Sequence, residues 1–479
     1  MGITTTLRRP PQALELAIEL DRNIRSQSTR VHAALRAAII DGRLVAGLKL
    51  PSSRTLANQL GVRRNAIVAA YEHLASDELI EARHGSGTFV ALHLPAPTAR
   101  APLQVFTIAQ ARKYPFALGK TFVDADLLRK LSLHLRRRVI SAGAEELGYG
   151  DPRGSPLLRA QLAHHLAAHR NVRCDPSCIF VVSGTQHALR LCLDALFSPG
   201  DAIWMEDPGY FATKATLKTA GMQLVPVPVD AEGIDVAAGL RKKARPRGAY
   251  VTPSHQFPTG VTMSMRRRTA LIDWARSADA WVFEDDYDGE FRYSGRPLTA
   301  LAGIGGERVI YIGTFSKTLF PGLRLAYMVL PSTLAERVVV ARAAGDRFPS
   351  RFMQDAIADL IDLGILARHT RRVRNRYRDA RDIVVETLRE TCKGSLVVQA
   401  PEQGLHLVAE LPKHGSTHDA MQIREMAKIE AFLLSETRLS RSGPEGFILG
   451  YSGHEIEDLK AAAQRLGRAA ASVIGGNCR

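Results

Sequence analysis

The sequence predicts an α/β protein in two parts: an N-terminal winged helix-turn-helix, then a larger layer of mainly parallel sheet covered by helices. Three observations carry this. A dense helix-turn-helix pattern fills the first ninety residues. From about Phe116 onward, apolar strand-like runs alternate with helical patterns. Between them lies the Pro- and Ala-rich run Leu94 to Pro102, which reads as a linker. The expected divisions are a winged-helix block at 29–92, a linker at 93–115 and the second block at 116–479. A chain of 479 residues is too long for one ordinary domain. With 46% hydrophobic and 23% charged residues it has the composition of a soluble globular protein. No run of about 18 uncharged apolar residues signals a membrane span. Met1 to Pro11 has no apolar stretch leading to a cleavage site, so export is not expected. The five cysteines are few, odd in number and unclustered, which suits a reduced, cytoplasmic setting. A net charge of +16 favours a polyanionic partner, nucleic acid first.

In the first block, Val31 to Ile40 has helical apolar spacing and stops at Asp41-Gly42. Pro51-Ser-Ser-Arg54 opens a second helix, with Ser52 or Ser53 as cap and Leu56, Ala57 and Leu60 inward. Gly61-Val62 makes the turn. A third helix starts at Arg63-Arg64-Asn65 with Ile67, Val68, Tyr71 and Leu74 inside, presenting Arg63, Arg64 and Asn65 to a major groove. Arginine suits guanine edges and phosphates, and asparagine suits adenine. Leu79 to Val90 reads as two short strands with a glycine-rich tip, a wing whose His84 and Gly85 reach the DNA backbone. This block resembles the winged helix of GntR-type bacterial regulators through Leu50-Pro-Ser-Ser-Arg54, Leu56-Ala57, Leu60-Gly-Val62, Tyr71-Glu-His-Leu74 and Gly85-Ser-Gly-Thr-Phe-Val90. The resemblance implies that Arg54, Arg63 and Arg64 contact double-stranded DNA.

In the second block, the strand candidates are Ile179–Ser183, Ala202–Glu206, Ala249–Thr252, Ala280–Glu284, Val309–Ile312 and Ala326–Leu330. Their connecting segments carry the parts that an aldehyde cofactor with a phosphate tail requires. Lys317, in Gly313-Thr-Phe-Ser-Lys-Thr-Leu-Phe-Pro-Gly322, is the amine that forms an imine. Ser183-Gly184-Thr185-Gln186, between a strand and a helix, offers backbone N–H groups and a positive dipole end to a phosphate. Thr314 and Ser316 add hydroxyls, and Arg324 adds a guanidinium. In Val282-Phe-Glu-Asp-Asp-Tyr-Asp-Gly-Glu-Phe291, strand alternation puts Asp285 and Tyr287 on one face. Asp285 would face a pyridine nitrogen and Tyr287 a phenolic oxygen. Tyr210 would stack on the ring.

These motifs, together with Tyr149-Gly-Asp-Pro-Arg-Gly154, Asp207-Pro-Gly-Tyr210 and Pro253-Ser-His-Gln-Phe-Pro-Thr-Gly260, resemble fold type I aminotransferases. They are closer still to the aminotransferase-like domain of MocR/GabR-type regulators, whose hallmark is the GntR-type head. The resemblance runs from about Tyr149 to Tyr451. It implies pyridoxal 5′-phosphate held on Lys317, a homodimer built around the site, and Tyr149 reaching the phosphate of a partner subunit. Two departures stand out. Phe257 occupies the place of an asparagine that bonds the phenolic oxygen, leaving His255 or Gln256 to compensate. Ile448, in Gly446-Phe-Ile-Leu-Gly-Tyr451, stands where an arginine would clamp a substrate carboxylate. Lys214 is a further candidate for contact with an anionic ligand.

Other charged runs read as ordinary surface. The arginines between Arg368 and Arg381 form the solvated face of a long helix with Val373 and Tyr377 inward. His164, His165 and His169 lack a neighbouring acid in the sequence, and Cys174 and Cys178 lack a second ligand pair, so no metal site is expected. The resulting expectation is a DNA-binding transcription regulator whose cofactor-bearing domain senses a small amine or amino compound, with turnover weak or absent. The alternatives are an active aminotransferase with a DNA-binding head, and a regulator that senses pyridoxal phosphate itself.

Overall fold

The computed structural model describes residues 26–83, 85–92, 114–295, 297–440 and 443–476, with Ile18, Leu20 and Asp21. The chain divides into two compact units, Met1–Ala109 and Gln110–Arg479.

The first unit is three helices and a hairpin. Helix α1 (Gln27–Ile40) buries Val31, Leu35, Ala38 and Ile39. Helix α2 (Ser53–Leu60) is capped by Ser52, whose hydroxyl accepts from Thr55 N at 3.2 Å, and it ends on Gly61 in the left-handed region at φ 63°. Helix α3 (Arg64–Ser76) buries Ile67, Ala70 and Leu74. The expected inward residue Val68 is only half-buried. Ile67 and Leu74, seven apart, fix the seam, and Ala70 lies along it where Val68 is rotated about 100° away. Tyr71 closes the turn by donating to Pro51 O at 2.8 Å. Strands β1 (Ile80–Arg83) and β2 (Gly87–Val90) pair antiparallel, Ile80 opposite Val90, and form the expected wing. Its tip residue His84, and residues 93–113 of the expected linker 93–115, lie outside the described residues.

The second unit is built on an eight-stranded sheet of β3 (Ile179–Val182), β4 (Ala202–Asp207), β5 (Gln223–Asp230), β6 (Gly233–Ile234), β7 (Pro246–Val251), β8 (Trp281–Asp286), β9 (Val309–Thr314) and β10 (Ala326–Val329). The order is β3-β10-β9-β8-β7-β4-β5-β6. Strands β5, β4, β7, β8 and β9 run parallel, while β10 is antiparallel to both β9 and β3. All six expected strands are present. β5 was not foreseen because prolines interrupt its apolar run (Val225-Pro-Val-Pro-Val229). They are tolerated because β5 has the long strand β4 on one side and only the two residues of β6 on the other. Alternation sends Phe180, Ile203, Met205, Phe283 and Ile312 into one core. On the opposite face, Ile179, Val181, Tyr311 and Tyr327 enter a second core, and Trp204, Val282 and Val309 a third.

A four-stranded antiparallel sheet follows, ordered β11 (Val397–Val398), β12 (His406–Glu410), β14 (Gly446–Gly450) and β13 (Phe432–Leu433). One face packs on the helices Ile365–Thr391 and Ile456–Gly476 through Leu407, Ala409, Phe447 and Leu449. The arginine-rich helix turns Val373 and Tyr377 into this core, each 1% exposed, and solvates its other face. There Arg372 meets Asp124 at 2.5 Å and Arg376 meets Glu455 at 2.7 Å. No helix among the described residues is long and apolar enough to cross a membrane.

Gly154, in the turn before the helix Pro156–Arg170, shows how tightly the sheet edge is closed. Its φ is +97°, and a Cβ there would lie 2.7 Å from Val181 and from the Gln354 amide oxygen. Gly154→Ala should therefore cost about 3 kcal/mol or more, read as a lowered thermal midpoint and low soluble yield.

Candidate cofactor site and nucleic-acid interface

The parallel strands β4, β7, β8 and β9 end on one side of the sheet, where the loops carrying the motifs converge. After β9, Thr314 Oγ1 accepts from Ser316 N at 3.0 Å, and the buried Phe315 and Leu319 anchor the turn. This turn fixes Lys317. Gly119, at φ +84°, passes close by, and a Cβ there would lie 3.6 Å from Lys317 Nζ. Arg324 follows in a left-handed conformation at φ 50°. Its guanidinium lies against Gly184, where a Cβ would be 3.4 Å from Nη1.

Gly184 itself has φ +155° and caps the helix Thr185–Leu196, so Ser183 to Gln186 form the strand-to-helix turn the sequence suggested. Val182 and Thr314 both pair with Ala326, which places Ser183 and the Thr314–Ser316 turn at the same sheet end. Gln186 Nε2 is buried with no hydrogen-bond partner among the described residues. Ser183 is held by a residue the sequence reading missed: its N–H donates to His187 Nδ1 at 3.2 Å, and its hydroxyl lies 3.1 Å from the same nitrogen. Burial lowers the His187 pKa, keeping that nitrogen an acceptor.

Asp285 is 3% exposed at the end of β8. The hydroxyl of Tyr250 on β7 donates to its Oδ2. Its Oδ1 is buried with no partner among the described residues. Burial pushes the carboxyl up to about 7, while the Tyr250 hydrogen bond and the Lys317 charge pull the other way. Its neighbours are engaged elsewhere. Glu284 accepts from Leu301 N at 2.8 Å and Ala302 N at 2.9 Å. Asp286 faces Arg170 at 2.7 Å and accepts from the Tyr311 hydroxyl at 2.6 Å. Across the sheet, Glu206 holds Thr252 and Gln256, and burial raises it to about 7 as well.

Tyr287 donates to His255 O at 3.1 Å. Tyr210 lies 5.3 Å, ring to ring, from Phe257 and stands just before the helix Phe211–Thr219. Tyr149 is 83% exposed, with its ring edge-on to Phe348. Phe257 and Ile448 share one apolar cluster with Leu434, bordered by Leu118, Tyr210, Tyr287 and Phe432. Gln256 is fully occupied: its amide nitrogen donates to Glu206, Pro208 O and Phe257 O, and its oxygen accepts from Thr259. Lys214 donates to Arg438 O at 3.1 Å. The sheet also gives His165 the acid partner that its own sequence neighbourhood lacks, Glu290 at 2.9 Å. Tyr250, Glu206 and His187 were missed because each lies in an apolar strand or helix pattern, and only the folded sheet sets them beside the motifs.

On the first unit, Arg54, Arg63, Arg64 and Asn65 are all exposed at the start of α2 and α3. Arg63 stands at the N-cap position of α3 and its backbone N–H donates to the Gln27 side-chain oxygen at 3.2 Å, while Arg64 Nε donates to Ser53 Oγ at 3.4 Å. Gly85 is exposed at φ +73°, in open space.

A winged helix followed by an aminotransferase-type fold defines a class of two-part regulators. The sequence comparisons agree. Residues 118–466 match the family aminotransferase class I and II, and residues 27–90 match the gntR family of bacterial regulatory proteins. The probable rhizopine catabolism regulatory protein MocR of Rhizobium meliloti is 34% identical over 456 residues, covering 91% of this chain and 92% of its own. The pyridoxine biosynthesis regulator PdxR of Corynebacterium glutamicum is 30% identical over 445 residues, covering 90% and 93%. Among solved structures, the Pyrococcus horikoshii kynurenine aminotransferase aligns with a TM-score of 0.67 at 26% identity, covering 72% of this chain and 87% of its own. LysN of Thermus thermophilus, solved with N-(5′-phosphopyridoxyl)-L-leucine, aligns with a TM-score of 0.67 at 26% identity, covering 75% and 92%. The chain belongs to the MocR/GabR-type transcription regulators, in which a GntR-type helix-turn-helix precedes an aminotransferase class I and II domain.

That aminotransferase family depends on pyridoxal phosphate, and the residues fit such a group. An acid oxygen is buried without a hydrogen-bond partner among the described residues, a glycine passes close to the lysine amine, and an arginine lies over a glycine turn at a helix N-terminus.

The raised pKa of Asp285 has a consequence for the cofactor-free protein. A carboxyl raised from about 4 in the unfolded chain to about 7 in the fold contributes stability below pH 4, and this is lost as pH rises through 7. Asp285→Asn removes that loss. Relative to the unsubstituted protein, its cofactor-free melting temperature should rise at pH 8 compared with pH 5. Equal differences at the two pH values would show that Asp285 ionises without cost.

Proposed function

We propose that this regulator holds pyridoxal 5′-phosphate on Lys317 and senses a small amine or amino compound there. The observation that carries the reading is Asp285 Oδ1, buried with no hydrogen-bond partner among the described residues, on an acid whose pKa the Lys317 charge pulls down against burial. When bound, the cofactor supplies an aldehyde carbon open to primary amines and an electron-withdrawing ring. Asp285 would hold a proton on the ring nitrogen, and Tyr287 would donate to the phenolic oxygen. Tyr210 would cover one ring face. Ser183, Gly184, Thr185, Gln186, Thr314, Ser316 and Arg324 would bind the phosphate. The exposure of Tyr149 suits a homodimer in which it reaches the partner subunit's phosphate. An amine competing with Lys317 changes the charge and contacts at the site, and the DNA affinity shifts by the differential binding.

The DNA-reading groups would be Arg54, Arg63, Arg64, Asn65 and Gly85, with one head per subunit addressing paired half-sites. Ile448, fully buried among apolar neighbours, argues against a carboxylate clamp and so against efficient transamination. A second reading, the cofactor itself as effector, draws support from the name of the relative PdxR.

Loading the protein with pyridoxal phosphate should give a visible absorption band that Lys317→Ala abolishes. An unchanged band would remove Lys317 from the assignment. Amines that alter this band should also alter operator affinity. Rapid multiple turnover with an amino acid and a keto acid would instead favour an enzyme, and a DNA response to cofactor alone would favour the second reading. Arg64→Ala should weaken operator binding by about 1–3 kcal/mol without touching the band. Normal binding would take Arg64 out of the reading head.

A further inference from the structure

His255 and Asp288 form a buried pair next to the proposed phenolic-oxygen donor. Their side chains are 0% and 2% exposed, and His255 Nδ1 lies 2.7 Å from Asp288 Oδ2. The same nitrogen is 3.2 Å from the Tyr287 hydroxyl, which donates to His255 O. His255 Nε2 is buried with no hydrogen-bond partner among the described residues. A proton on Nε2 would leave a buried N–H unsatisfied, whereas a neutral ring with the proton on Nδ1 leaves only a lone pair there. The arrangement therefore selects the Nδ1–H form, donating to Asp288 with the Tyr287 oxygen as a second, longer acceptor.

Phe257 removes the usual polar group at the phenolic oxygen, and Gln256 is fully occupied by the backbone and Glu206. Of the two neighbours that were candidates to compensate, only His255 reaches the Tyr287 hydroxyl. Gly404 leaves no room for a side chain against the imidazole ring, so the ring is pinned from that side too.

We propose that His255, oriented by Asp288, is a positioning residue: its Nδ1–H, directed at the Tyr287 oxygen, leaves the hydroxyl's single proton free to turn from His255 O toward the cofactor's phenolic oxygen when the cofactor is bound. It does the work of the missing asparagine at one remove. This rests on the reading of the site as a pyridoxal phosphate site. The hydroxyl stays protonated: burial raises its pKa well above the usual value, and Asp288, Asp285, Glu206 and Tyr250 push the same way. His406, whose ring centre is 4.9 Å from that of His255, is held neutral by burial. Asp288 is the acid in direct contact with the imidazole.

The test is the pH titration of the bound cofactor's absorption band. A donor at the phenolic oxygen stabilises negative charge there and weakens the hold on a proton nearby. His255→Gln should move the titration midpoint up by about one pH unit, a tenfold change in proton affinity. Tyr287→Phe should move it at least as far, and the double variant should match Tyr287→Phe alone, because His255 acts through that hydroxyl. A His255→Gln protein that binds cofactor with the original midpoint overturns the proposal, as does a double variant whose shift is the sum of the two. His255→Asn provides the same readout if the glutamine variant does not fold, with folding checked by melting of the cofactor-free protein. Failure of the unsubstituted protein to take up pyridoxal phosphate would instead defeat the reading of the site, not the role of His255 within it.

Discussion

The constraint on which the second unit depends is a row of acids buried at the end of β8. Glu284, Asp285 and Asp286 are 0%, 3% and 8% exposed, and Asp288 follows at 2%. Burying carboxylates side by side is costly unless each finds a donor or a cation. The fold meets most of this demand from a distance. The helix Pro156–Arg170 delivers Arg170 to Asp286, β9 delivers Tyr311, β7 delivers Tyr250, and the backbone after Thr299 delivers two N–H groups to Glu284. These partners come from elements as far apart in sequence as residues 170 and 311, so the acid row ties the strand order together. Two oxygens, Asp285 Oδ1 and Asp286 Oδ1, have no hydrogen-bond partner among the described residues, and of these two carboxyls only Asp286 already faces a cation, Arg170, through its other oxygen. On the proposed reading of the site, Asp285 would meet a cationic ring nitrogen, and binding of the cofactor would complete the core as well as arm the site.

Much of this was legible in the sequence because short motifs at strand ends impose local geometry. Gly184 and Arg324 could be assigned from their motifs, and the structure sets them against each other. The six core strands could be read because central parallel strands are continuous apolar runs. What stayed hidden came from pairing between distant segments. β5 was masked by its prolines. Tyr250 was one aromatic residue in an apolar strand, indistinguishable there from core filling. His165 found its acid only when Glu290 was carried across from the loop after β8. In the first unit, Val68 was assigned inward by its chemistry, while the seam through Ile67 and Leu74 selects Ala70.

The two departures from the aminotransferase pattern turn out to be one. Phe257 lies in the loop after β7 and Ile448 on β14, nearly two hundred residues apart, yet they occupy the same cluster. Pairing of Ile448 with Val408 and Phe432 shows that this face of the small sheet is apolar, opposite to the face that packs on the C-terminal helices. An arginine at 448 beside Phe257 would bury a guanidinium against an aromatic ring and leucines without an acid partner in that cluster. An asparagine at 257 beside Ile448 would bury an amide with nothing apolar to replace its lost contacts. Each replacement makes the other tolerable.

That coupling bears on how a catalytic fold becomes a sensor. The groups proposed to hold the cofactor, Lys317 and Asp285, lie at the end of the large sheet, beside the buried acid row. The groups that would grip a substrate carboxylate belong to the small sheet, where packing alone decides what fits. Loss of the grip therefore leaves the cofactor end intact, because no residue of the acid row or its partners lies in the altered cluster. The same separation moves the polar support at the phenolic oxygen inward, from position 257 to the Asp288–His255 pair behind Tyr287, where it is shielded from whatever the apolar cluster admits. On the proposed reading, a site arranged this way would keep Lys317 available to a competing amine, while position 448 offers no cation to an α-carboxylate.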